Sequence, residues 1–144
     1  MPSMPHLMGL APGLTAAGAL SADNIEALAA AGVKTIINNR PDSEDPGQLP
    51  AGEARALCAK HGLAYHHIPF VAATLTRDDI DAFEQVLATA PGPMVAHCRS
   101  GTRSTMVWAL TRMRHGDDPA ALVALGARNG VDISALPALA AKLL

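Results

Sequence analysis

Cys98, Arg103 and Ser104 stand close together in the stretch AHCRSGTRSTMVWALTRMR, and their types suit a nucleophile that works on anions. A cysteine sulfur is intrinsically very nucleophilic and can carry a covalent intermediate. Arg103 brings a planar fork of donors that holds an oxyanion at two points. Ser104 can donate a hydroxyl hydrogen bond to the Cys98 sulfur. Four residues, Arg99, Ser100, Gly101 and Thr102, separate Cys98 from Arg103. Gly101 gives the backbone freedom to turn its amides inward as a nest for an anion. A helix that follows directly would add its free N-terminal N–H groups and the positive end of its dipole. Negative charge on sulfur is stabilised where such donors converge. A cysteine ending an apolar strand is by itself usually a small buried hydrophobe. The Gly, Arg and Ser that follow in a tight loop turn the reading toward catalysis.

Those residues need elements to position them, and the pattern supplies a candidate for each. PMVAHC (93–98) reads as a short apolar strand, and Ser104 to His115 as the helix behind the loop, closed by Gly116. In an open α/β sheet ligands bind beyond the carboxyl ends of the strands, where Cys98 would sit. Upstream, residues 6–20 hold two apolar stretches around Pro12-Gly13, a hairpin signal. Ser21 caps a helix that ends at Gly32. VKTIINNR (33–40) is a buried strand, 41–50 a polar loop, Ala51 to His61 a helix, and LAYHHIPF (63–70) a further strand. Thr76 and Asp79 open a helix to about Ala90. Asp117 or Asp118 caps another, with Pro119 in its first turn, and Ser134 or Asp132 opens a C-terminal one. Strands alternating with helices imply right-handed crossovers and a parallel sheet covered on both faces.

Composition narrows the class of protein. The 144 residues are one domain's worth, here residues 1–144 as a single unit. Apolar residues make up 49% but aromatics only 3%, so Ala, Leu, Val and Ile must build the core. The net charge of -2, with no basic block, argues against a nucleic-acid partner. No apolar run is long enough to span a bilayer, and the N-terminus lacks the pattern of a signal peptide. Two cysteines, Cys58 and Cys98, do not make a disulfide framework, which points to a reducing, cytoplasmic setting.

Several further residues are candidates for accessory roles. His97 neighbours the nucleophile on a strand, so its side chain faces the other way and suits hydrogen bonding to the loop backbone better than proton transfer. Arg40 ends the first long strand and could attract anionic substrate, a solvated or ion-paired role being equally open. Asp42, Glu44 and Asp45 follow it in the polar loop and could reach the site from the side. Arg99 is expected to aim its backbone N–H at the anion and its side chain outward. His66 and His67 alternate across a strand and cannot chelate one ion together; no metal and no cofactor is implied. Cys58, in a helix pattern with Ala54 and Leu57, reads as core rather than a resolving thiol, and Trp108 reads as helix packing.

HCRSGTRS is similar to the signature loop shared by cysteine-dependent phosphatases and rhodanese sulfurtransferases. With GVKTIINNRPDSE, GLAYHHIPF and GPMVAHCRSGTRS, most of residues 5–115 resembles a bacterial family, the beta-lactamase hydrolase-like proteins. The resemblance implies an α/β, protein-tyrosine-phosphatase-like fold: a central, mostly parallel sheet of four to five strands flanked by helices. It also implies proteins that stand alone or are fused to a metallo-β-lactamase-like persulfide dioxygenase, whose metal-binding histidine spacing this chain lacks.

Two chemistries remain, and the loop length bears on them. Tyrosine and dual-specificity phosphatases carry one residue more between Cys and Arg; the shorter loop here is similar to that of rhodaneses. Phosphatases of this fold also place an Asp general acid after a strand that ends in a Pro, where this chain reads IPFVAATLT. The expectation from sequence is therefore a sulfurtransferase. Cys98 would take sulfane sulfur from thiosulfate or a small persulfide such as glutathione persulfide. The Cys98 persulfide would then pass it to a thiol acceptor in ping-pong fashion, with a separate persulfide dioxygenase as a further partner. The alternative is a cysteine-dependent phosphatase working through a phosphocysteine. A third reading, from another class, is an idle anion- or partner-binding module.

Overall fold

The computed structural model describes residues 2–144. The chain runs β1 (Leu7–Ala11), β2 (Leu14–Ala17), α1 (Ala22–Ala30), β3 (Thr35–Asn38), α2 (Ala51–Lys60), β4 (Ala64–His67), a short 3-10 turn (Ala72–Thr74), α3 (Arg77–Thr89), β5 (Met94–His97), α4 (Thr102–Arg114), α5 (Pro119–Arg128) and α6 (Leu136–Leu143). Its strands form one sheet in the order β1-β2-β5-β3-β4. β1 runs antiparallel to β2; β2 with β5, β5 with β3 and β3 with β4 are parallel, as helical crossovers require.

Alternation along the strands sorts two apolar clusters onto the two faces. Ile36 and Val95 look toward Ile25 and Leu28 of α1 and Ala54 and Cys58 of α2. Ile37 and Ala96 look toward Phe83 of α3, Val107 and Leu110 of α4, and Leu136 of α6. With both sides covered, β3 is buried at all four positions. α4 is the central helix, buried from Ser104 through Thr111.

Register decides what meets at the site. Ala17 pairs with His97, and His97 with Asn38, so β2, β5 and β3 end level with one another. The residues that follow, Gly18, Cys98 and Asn39, are thereby set side by side beyond one sheet edge.

The elements differ from the sequence reading mainly at their ends. The strand expected over 33–40 closes at Asn38, because the Asn38 side chain accepts from the Arg40 backbone N–H at 2.8 Å and turns the chain. α4 starts at Thr102, two residues before Ser104, because Gly101 at φ +90° supplies its N-cap. The C-terminal helix begins at Leu136; Asp132 instead accepts from the Ser134 N–H at 2.8 Å in a local turn. The hairpin and the capping box of Thr76 and Asp79 fall as expected. Among the described residues no helix is long and apolar enough to cross a membrane.

Candidate active site

Cys98 follows the last residue of β5 and is fully buried. Its Sγ accepts a hydrogen bond from the Gly101 N–H at 3.2 Å, so the loop folds back over the sulfur. Gly101 is held to glycine by its backbone. Its φ of +90° strains any L side chain, and a Cβ would also push aside the flexible end of Met8. The loop is pinned from the β2 side, where the Ala19 N–H donates to the Arg99 carbonyl at 3.1 Å. A Cβ on Gly18 would press on that carbonyl at 3.1 Å as well. Among the described residues no acceptor is bonded to the backbone N–H of Arg99, Ser100, Thr102, Arg103 or Ser104. The first N–H groups of a helix have no partner within it, and this concentration of free donors at the N-terminus of a 13-residue helix is an arrangement that can receive an oxyanion.

Arg103 completes the cradle through a clamp. Its Nη1 and Nη2 donate to the two oxygens of Glu44 at 2.7 and 2.8 Å, and Nη1 also to the Phe70 carbonyl at 3.1 Å. The Arg103 value is raised, first by the Glu44 hydrogen bonds, against the opposing effect of burial; the Cys98 sulfur adds in the same direction. The terminal edge of the guanidinium is thus occupied by carboxylate, which leaves Nε–H and the second Nη2–H for an oxyanion near the sulfur. Glu44 itself is held near pKa 2, chiefly by its hydrogen bond from Arg103, with burial opposing and Arg40 adding. A carboxyl so held is a carboxylate at neutral pH and cannot donate a proton. The network continues outward: Arg40 Nε donates to Glu44 at 3.0 Å and its Nη2 to Asp45, while Arg99 Nε pairs ionically with Asp45 at 3.0 Å.

The expected site residues fare unequally. Cys98, Arg103 and the loop from Arg99 to Thr102 come together. Arg40 resolves as a buried ion-paired residue, bonded to Glu44 and Asp45. Arg99 does point outward, with 64% of its side chain exposed. Ser104 requires a correction: its hydroxyl donates to Asn39 Oδ1 at 2.8 Å, not to the Cys98 sulfur. Ser104 lies on the first turn of α4, and Asn39 accepts from its hydroxyl while donating to the Ile68 carbonyl at 3.1 Å. Asp42 also leaves the site, because its Oδ1 accepts from the Ala51 N–H at 2.8 Å and caps α2, whose N-cap Pro50 has no side-chain acceptor.

His97 lies on the sheet face opposite Cys98, as expected, but makes no well-formed hydrogen bond through Nδ1. Burial pushes it down to about 4, opposed by the Cys98 backbone, so the imidazole is neutral. Asn39, Met8 and Gly18 went unread in the sequence; only their place next to strand ends hinted at them. Glu44 is one of three acids in the polar loop. The spacing of Arg40 and Glu44, four residues apart on a tight loop, is the signal that singles it out. Among the described residues no group of three or more His, Cys, Asp or Glu side chains could hold a metal ion.

Fold and site together define a phosphatase-type α/β protein built around a buried cysteine. The family model described as the beta-lactamase hydrolase-like protein, phosphatase-like domain, matches residues 6–114, and the chain belongs to that family. It is 38% identical over 121 residues to a beta-lactamase hydrolase-like protein of Xylella fastidiosa, a match that takes in 83% of this chain and 28% of the relative. The chain thus spans little more than a quarter of that relative's length. Among solved structures it is similar to a candidate phosphatase (nma1982) of Neisseria meningitidis, with TM-score 0.79 and 29% identity over 88% of this chain and 90% of that one. Kinase associated phosphatase, solved with its catalytic-site cysteine substituted by serine, shares the fold at TM-score 0.75 and 16% identity, covering 99% of this chain and 98% of that one.

Proposed function

We propose that the protein is a cysteine-dependent phosphohydrolase that works through a phosphocysteine at Cys98. The observation that carries this reading is the Arg103 clamp. A guanidinium locked by both oxygens of Glu44 offers a rigid pair of donors to a phosphoryl group, whose charge is spread over several oxygens. The free loop amides supply the rest of the electrostatic stabilisation. The thiolate attacks phosphorus, the bond to the leaving oxygen breaks, and water then releases phosphate from sulfur. The family and its phosphatase neighbours support the same choice. Incubation with p-nitrophenyl phosphate, followed by acid quench and intact mass spectrometry, tests it. Release of nitrophenol with a trapped adduct of one phosphoryl mass, both absent in Cys98→Ser, is the expected result; no turnover and no adduct overturns the reading.

Sulfur transfer stays as a second reading because the loop holds only four residues between Cys98 and Arg103. A persulfide on Cys98 would use the same amides, with thiosulfate or a small persulfide as donor, a thiol as acceptor and a separate persulfide dioxygenase as partner. The same spectrum after brief exposure to thiosulfate would show the gain of one sulfur. Either chemistry fits a reducing, cytoplasmic setting, consistent with both cysteines being free; a small anionic substrate, and neither nucleic acid nor membrane, is the partner proposed.

A further inference from the structure

We propose that the natural substrate of this site is a phosphoanhydride, cleaved without any proton given to the leaving group. The inference rests on the phosphoryl-transfer reading and adds the substrate class to it. It follows from accounting for each proton donor around the sulfur. The segment that abuts the site after β4, where Phe70 accepts from Arg103, continues Val71-Ala72-Ala73-Thr74-Leu75 and carries no acid. Glu44 has both oxygens on Arg103 and is held as a carboxylate. Asp45 is shared between Arg40 and Arg99. Asp42 is spent on the Ala51 N–H. His67 has its Nε2 on the Arg40 carbonyl at 2.9 Å, and His97 lies across the sheet from the sulfur in neutral form.

A departing alkoxide needs a proton, and a positioned general acid is worth about 10²–10⁴ in rate. A departing phosphate does not: its conjugate acid has a pKa of about 6, against about 10 for a phenol such as tyrosine. What an anionic leaving group needs is a nearby cation. Arg99 meets that need from inside the catalytic loop. Its side chain is exposed, only its Nε is engaged, with Asp45 at 3.0 Å, and both Nη groups have no partner among the described residues. Three arginines, 40, 99 and 103, face two carboxylates in this network, and the third cation offsets the Cys98 thiolate, so the free Arg99 Nη groups are what remains to meet a distal phosphate.

In the reaction the Cys98 thiolate forms an S–P bond with the terminal phosphorus while the bridging P–O bond breaks, and its electron pair leaves on the distal phosphate. Water then forms a P–O bond to the phosphocysteine, the S–P bond breaks, and the thiolate is restored. The proton released by water goes to the inorganic phosphate formed. Nothing is oxidised or reduced.

The test is a leaving-group series read as kcat/KM, which reports P–O cleavage rather than the later hydrolysis of the phosphocysteine. Substrates are 2,4-dinitrophenyl, p-nitrophenyl and phenyl phosphate, glycerol 2-phosphate and inorganic tripolyphosphate, with wild type, Cys98→Ser and Arg99→Ala. The expected result is a fall of at least about 10² from dinitrophenyl to phenyl phosphate, no turnover of glycerol phosphate, and turnover of tripolyphosphate that requires Cys98. Arg99→Ala lowers the ratio of tripolyphosphate to p-nitrophenyl phosphate about tenfold, the worth of one charge-assisted hydrogen bond. Phenyl phosphate as fast as the dinitrophenyl ester, turnover of glycerol phosphate, or an inert tripolyphosphate overturns the inference and leaves the phosphohydrolase standing. If even the dinitrophenyl ester is untouched, the phosphohydrolase reading fails, and the inference with it.

Discussion

Two buried cysteines in this chain sit in regions built for opposite ends. Cys58 lies on α2 among Ile25, Leu28, Ile36 and Tyr65, where burial pushes its thiol up to about 11. Among the described residues no hydrogen-bond donor reaches it, and Arg55 opposes the shift. Cys98 is just as buried, yet it stands at a strand end with the Gly101 N–H on its sulfur and Arg103 beside it. Burial alone therefore separates nothing; the supply of donors does. An apolar pocket without donors suppresses the ionised sulfur of Cys58, whereas Cys98 stands in a loop whose amides have no other acceptor among the described residues.

The sharpest break of this comparison is a pair of serine substitutions. Cys98→Ser is expected to remove turnover by on the order of 10³ or more while the fold melts unchanged, because only the attacking atom is lost. Cys58→Ser is expected to keep kcat and lose about 1–3 kcal/mol of stability, since it buries a hydroxyl with no partner. Steady-state kinetics and urea titration on both proteins read the two effects separately. A Cys58→Ser enzyme as dead as Cys98→Ser would show that the donor argument had picked the wrong thiol.

Removing the clamp comes next in size. Glu44→Ala frees Arg103 from its two bonds, and misplacement of a positioning group by about 1 Å can cost about 10² in rate. We expect a loss of that order in kcat/KM, carried mostly by kcat. Glu44→Gln, which keeps one acceptor for the guanidinium, should recover part of it. A Glu44→Gln enzyme as active as wild type would reduce the clamp to a surface ion pair.

Gly101→Ala tests the loop without touching a reacting atom. The left-handed backbone and the Met8 methyl both resist a Cβ, so we expect about 1–3 kcal/mol of lost stability together with slower turnover. Adding Met8→Ala should return part of the stability lost to the clash but not the part due to φ. Thermal melts of the single and double variants decide it.

The smallest effect is on acid stability. Glu44 is held near 2 rather than 4.5, so its contribution is present above about pH 4.5 and lost as pH falls toward 2. His97 is held near 4 rather than 6.5, so the unfolded chain takes up its proton first and stability also falls from about pH 6.5 down to 4. Denaturant midpoints at pH 7, 5 and 3 should decline in two stages. His97→Gln should flatten the upper stage and leave the lower one.

Much of this site could be read from residue order alone. Strand, Cys, Gly and helix over 93–115 fix where the anion cradle lies, because backbone geometry follows from glycine placement and apolar periodicity over a few neighbouring residues. The capped ends at Ser21, Thr76 and Asp118 were legible for the same reason. Sequence also gave α/β alternation, hence the parallel sheet and the side on which Cys98 emerges. What it could not fix were pairings between segments far apart in the chain. Glu44 on Arg103 spans 59 residues and Ser104 on Asn39 spans 65. Both depend on the register that sets β2, β5 and β3 level. The Ser104 hydroxyl, six residues after Cys98 in sequence, donates instead to Asn39 across the sheet. The local chain thus determined that a cysteine stands in a tight loop between a strand and a helix; only tertiary packing decided which carboxylate holds its arginine and which serine is spent on structure.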